Sequence, residues 1–107
     1  MPGVKVTAGY ATIVNNSNTR AVLTSIHCED AKSVEIHDMS MNGTQAKMIQ
    51  LQQLVIPANS KVNLKPMGKH LMIFGMSDKI KDSQLSCAAT FAKRTKKMAF
   101  NATLRTP

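Results

Sequence analysis

The stretch Ser33-Val34-Glu35-Ile36-His37-Asp38-Met39-Ser40-Met41 decides the fold class. Val34 and Ile36 fall on one side of an extended chain and Glu35, His37, Met39 and Met41 on the other, the period of two expected of a half-buried strand. Asn42-Gly43 follows, a dipeptide suited to a tight turn. A second strand is expected over 46–51, where a returning segment would carry Met48 back towards His37. Outward from this pair, short strand patterns recur over 10–14, 20–28, 54–56, 61–64, 70–74, 84–92 and 98–104, with Pro57, Pro66 and Gly68 punctuating the connections. The cluster Asn15-Asn16-Ser17-Asn18 favours a turn, so 10–14 and 20–28 are expected to form a hairpin. A helical turn is expected at most over 77–83. Regularly spaced short strands predict an all-β sandwich or small barrel.

The chain has 107 residues, a length that fits one domain spanning 1–107. A hydrophobic fraction of 43% against 19% charged marks a globular domain able to build its own core, so a metal would serve function before folding. No apolar run approaches the roughly 20 residues of a membrane-spanning helix, which argues against membrane insertion. Fourteen basic and six acidic residues give a net charge of +8. Such an excess attracts nucleic acid, anionic lipid or acidic proteins. The four aromatics, Tyr10, Phe74, Phe91 and Phe100, are too few for the stacking platforms of a nucleic-acid reader, so none is expected as a partner. Lys93, Arg94, Lys96 and Lys97 read as a solvated hairpin tip or a docking patch for an acidic partner.

Methionine is the anomaly: there are eight, with Met39, Met41, Met48, Met67, Met72 and Met76 in one central segment. A thioether fills cores flexibly and also binds Cu(I). His70 and Met72 stand two apart on an expected strand and project from the same face, and His37 and Met39 repeat that parity. Two imidazoles and two thioethers form a neutral, soft set that suits Cu(I) better than zinc, magnesium or calcium. Taken singly, each of these residues is more often core filling or an ordinary surface side chain.

Their arrangement says more. His37, ten residues, Met48, twenty-one residues, then His70-Leu71-Met72 resembles the signature of the PCuAC family of periplasmic copper chaperones. Tyr10-Ala11-Thr12-Ile13-Val14-Asn15-Asn16, Val34-Glu35-Ile36-His37, Pro57-Ala58 and Leu64-Lys65-Pro66 extend the resemblance over nearly the whole chain. It implies a cupredoxin-like β-sandwich or barrel and Cu(I) held by His37, Met48, His70 and Met72 near the surface. It also implies a periplasmic, non-enzymatic carrier supplying copper for cytochrome c oxidase assembly. The acceptor would be oxidase subunit II or a thiol-bearing copper chaperone, and the carrier is expected to act as a monomer. Storage or sequestration without specific delivery is the alternative. Met67 and Lys69 depart from the family, which more often has glycine and tyrosine there. They would alter the loop into His70 and place a positive charge close to the metal. Met39, Met41 and Met76 are surplus thioethers: packing, substitute ligands or a relay. His27 lies outside the motif and reads as structural or solvent-exposed.

Other chemistries fit poorly. A blue-copper centre needs a thiolate with two histidines, and Cys87 is followed by no histidine. A zinc hydrolase would want a carboxylate base beside His70 and Met72, and thioethers are poor zinc ligands. Cys28 and Cys87 are too few and too far apart for a zinc ribbon or C-x-x-C motif. They either join in one disulfide or remain two small buried side chains. Met1-Pro2-Gly3-Val4-Lys5 lacks the apolar core of a signal peptide, which fits a cytosolic protein or a mature form carrying an added start methionine.

Overall fold

The computed structural model describes residues 5–77 and 83–105. The described residues form nine strands: β1 (Val6–Asn15), β2 (Ala21–Cys28), β3 (Ser33–Asn42), β4 (Gln45–Leu51), β5 (Leu54–Ile56), β6 (Ser60–Leu64), β7 (His70–Phe74), β8 (Gln84–Phe91) and β9 (Met98–Leu104). All pairings are antiparallel, in the order β4-β3-β7-β1-β9-β8-β2-β5, with β6 beside the second half of β1. The expected all-β, single-domain fold is the one observed. Nearly all the expected strands appear within one or two residues of their anticipated bounds. β1 is longer, because Val6-Thr7-Ala8-Gly9 joins the sheet without an alternating signal. The helical turn expected over 77–83 lies mostly outside the described residues.

Alternation along the strands builds the core. Ile36 on β3, Leu71 and Ile73 on β7, Ile13 on β1 and Leu23 on β2 point into one buried cluster. Gly9 lets β7 come close to β1, since a Cβ there would stand 2.8 Å from Ile73 Cδ1. The sheet therefore curls, with one face inward on the core and the other outward.

The expected hairpin of 10–14 with 20–28 does not form. β1 pairs with β6, β7 and β9, while β2 pairs with β5 and β8. Ile13 and Leu23 are instead both buried members of one core cluster. The buried Asn15 holds the crossing connection: its Nδ2 donates to the carbonyls of Thr19, Ile56 and Pro57, and its Oδ1 accepts from the backbone N–H and hydroxyl of Ser17. Turn composition recorded the change of direction and not the layer the chain changes to.

Cys28 and Cys87 are directly opposite on β2 and β8 and are joined in a disulfide. Of the two readings open from sequence, the bonded one holds. Lys93, Arg94, Lys96 and Lys97 occupy the exposed β8–β9 connection, as expected. Arg94 Nη2 donates to Ser17 Oγ at 3.3 Å, tying that tip to the β1–β2 connection.

Candidate metal centre

The outward face of β4, β3 and β7 gathers His37, Met39, Met48, His70 and Met72. The hairpin of β3 and β4 closes through Gly43, whose φ of 67° is in the left-handed region that glycine adopts without steric cost. Its register sets Met48 opposite Met39. β3 and β7 place His37 opposite His70, and Glu35 opposite Met72. Residues directly opposite across an antiparallel ladder share a face. All four expected ligands, His37, Met48, His70 and Met72, therefore lie on the side of the sheet away from Ile36, Leu71 and Ile73. His70, Met48 and Met72 line one groove of 1360 Å³, together with Met39, Met67, Met76 and Tyr10. His37 does not line it, but its ring centroid is 6.0 Å from that of His70.

His70 is 8% exposed, and its Nδ1 lies 2.8 Å from the Gly68 carbonyl. A carbonyl only accepts, so Nδ1 carries the proton and the neutral ring presents a lone pair at Nε2. That Nε2 faces Met48 Sδ at 3.2 Å. A thioether sulfur has no proton to give, so in the neutral ring two lone pairs face one another with no donor between them. Such a pair is suited to a cation. Donors bound to one d10 ion at the nitrogen and sulfur distances known for zinc lie roughly 3.2–3.8 Å apart.

His37 is prepared differently. Its Nε2 stands 2.8 Å from Glu35 Oε1, so Nε2–H donates to the carboxylate. The other nitrogen, Nδ1, is buried and has no hydrogen-bond partner among the described residues. A buried polar atom left unpaired is uncommon and calls for a reason. A carboxylate fixing the distal nitrogen of an imidazole is the usual outer support of a metal-binding histidine. Two imidazoles on one ion would have centroids no more than about 6.4 Å apart, from ring size and bond length. The observed separation lies inside that limit.

Glu35 was not singled out by the sequence reading. Its signal was available in Glu35-x-His37, the same two-residue spacing that drew attention to His70-x-Met72. Lys69 does not leave an uncompensated charge near the site, because its Nζ pairs with Asp38 Oδ2 at 3.4 Å. Met41 is 66% exposed and lies beyond the groove lining, while Met76 is partly buried against the core. His27 is exposed on β2. The loop into His70 is a turn of Lys65-Pro66-Met67-Gly68, closed by Gly68 N–H donating to the Lys65 carbonyl at 3.2 Å. Met67 takes φ 69° there, at the turn position that prefers glycine. Position 67 thus takes a glycine-like conformation without being glycine, at a cost of about 1–2 kcal/mol.

The family described as "Putative lipoprotein LpqE-like" matches residues 1–101. The chain belongs to this LpqE-like family. No curated protein sequence matches it. Among solved structures, the copper-bound PCuAC domain from PmoF2 is similar with a TM-score of 0.72 and 20% identity, covering 100% of this chain and 84% of that one. The apo PCuAC domain from PmoF1 is similar with a TM-score of 0.70 and 22% identity, covering 100% of this chain and 85% of that one. The LpqE-like chain therefore shares the PCuAC fold over its whole length, as its sequence resemblance implied.

Proposed function

We propose that this LpqE-like protein is a Cu(I) carrier that holds one ion between His37 Nδ1, His70 Nε2 and the sulfurs of Met48 and Met72. The observation that carries the reading is the contact of His70 Nε2 with Met48 Sδ at 3.2 Å, where an imidazole protonated only at Nδ1 has no hydrogen to give the sulfur. The orphaned Nδ1 of His37 and the copper-bound state of the similar PmoF2 domain support it.

The donor set explains why the protein carries copper and does no chemistry on it. All four donors are neutral, so the bound ion keeps its single charge and gains no thiolate to hold it irreversibly. Glu35 orients the His37 ring, and the Gly68 carbonyl orients His70. Met48 is 47% exposed, which leaves one side of the ion open to an acceptor. The acceptor is a thiolate protein that binds Cu(I) more tightly, such as oxidase subunit II or a thiol-bearing chaperone. The protein works outside the cytoplasm, in the periplasm or an equivalent space, where its disulfide persists.

Metal preference tests this reading. Equilibrium competition is expected to show one Cu(I) bound and Zn(II) at least about 100-fold weaker, because thioethers are soft donors and zinc favours nitrogen, oxygen and thiolate. Equal or tighter zinc binding would contradict it. Cu(I) binding without transfer to any tighter thiolate acceptor would replace the carrier by a storage protein.

A further inference from the structure

Of the thioethers lining the groove, Met67 has the least structural reason to be a methionine. It is 84% exposed, so it fills no gap in the core. It sits at φ 69° in the turn before His70, where an unbranched side chain is sterically disfavoured and glycine would not be. The fold thus gains neither packing nor backbone ease from it. Residues held in sparsely populated backbone conformations cluster at active sites, ligand clamps and switch regions. The turn is firmly built: Gly68 N–H bonds back to Lys65, Lys65 N–H bonds to the Lys69 carbonyl at 2.8 Å, and the Gly68 carbonyl holds His70 Nδ1. The base of Met67 is therefore fixed beside the candidate ligands. Its three rotatable bonds leave the sulfur free to swing between solvent and groove.

Exposure rises in order from His70 at 8% to Met48 at 47% and Met67 at 84%, all three on one groove. We propose that Met67 is a shuttle ligand, a thioether that meets Cu(I) at the mouth of the groove and exchanges it with the ion's resident donors during loading and delivery. This rests on the groove being the Cu(I) site. The step is a ligand exchange: a copper–sulfur bond to Met67 forms as the bond to Met48 breaks, and the reverse on loading. Copper remains Cu(I), and no electron or proton moves. A thioether suits the task because it binds Cu(I) weakly and reversibly, and carries no charge that would hold the ion at the rim.

The test compares wild type with Met67→Leu, which keeps the backbone demand and the volume, and with Met67→Gly, which removes both. Each protein is loaded with one equivalent of Cu(I), and the ion is withdrawn by excess bathocuproine disulfonate under anaerobic conditions. Both variants are expected to release and take up copper at least about 5-fold more slowly, with the dissociation constant changed less than about 2-fold, since a shuttle alters both rates equally. In methyl NMR with half an equivalent of Cu(I), the ε-methyl signal of Met67 is expected to broaden while those of Met48 and Met72 shift. Unchanged rates in Met67→Leu would overturn the proposal. So would a dissociation constant weakened more than about 10-fold with an unchanged uptake rate, which would make Met67 a resident ligand. A wild-type protein that bound no Cu(I) would overturn the proposed function itself, and this inference with it.

Discussion

Replacing His70 by glutamine is expected to weaken Cu(I) binding by more than about 100-fold, beyond the roughly 10–100-fold lost when only the outer support of a ligand is removed. Glutamine can still donate to the Gly68 carbonyl, so the turn keeps its bond and the measurement reads the lost lone pair at Nε2. Glu35→Gln belongs to the outer class. It retains a carbonyl oxygen for His37 Nε2–H but loses the charge, so about a 10-fold loss is expected. Met41→Leu, at a residue beyond the groove lining, is expected to change nothing. A chelator competition series orders the three. An affinity of His70→Gln within 3-fold of wild type would remove His70 from the ligand set, and a Glu35→Gln loss equal to that of His70→Gln would make Glu35 a ligand.

The second large effect concerns stability. The Cys28–Cys87 disulfide closes a loop with a sequence separation of 59 residues. In the chain-entropy account such a loop is worth about 4 kcal/mol. The double variant Cys28→Ala, Cys87→Ala is expected to unfold at a temperature lower by roughly 15 °C or more, at about 4–8 °C per kcal/mol for a domain near this size. Its Cu(I) affinity, measured while folded, should stay near that of wild type, because both cysteines are buried among core side chains and the groove is on the outward face of β7. Calorimetry with and without reductant measures the first part. A melting temperature lowered by less than 3 °C would show that the bond constrains little.

Which features were legible follows from the range over which each signal acts. Strand parity is local, so Ser33 to Met41 disclosed both its buried face and its outward histidine and methionines without any tertiary information. The His37, Met48, His70 and Met72 spacing brings the four residues to one face because β3, β4 and β7 are neighbours, and a hairpin register carries Met48 to the face that His70 shares. The crossing from β1 to β2 was not legible, since the same turn composition serves a hairpin or a change of layer, and only the satisfaction of buried Asn15 by Thr19, Ile56 and Pro57 decides between them. Cys28 and Cys87 could be paired only once β2 and β8 were known to adjoin. The bond between Asp38 and Lys69 likewise depends on the β3–β7 register, which carries the chain past His37 and His70 to these two residues.

In the proposed site one Cu(I) is shared by imidazole nitrogen and thioether sulfur on the outward face of β4, β3 and β7. Copper K-edge absorption of the Cu(I)-loaded protein tests it most directly. About two nitrogen and two sulfur scatterers are expected around the ion, with the nitrogen distance near 2.0–2.1 Å and the sulfur near 2.3 Å by analogy with zinc. A shell of nitrogen and oxygen alone, with no sulfur, would contradict it.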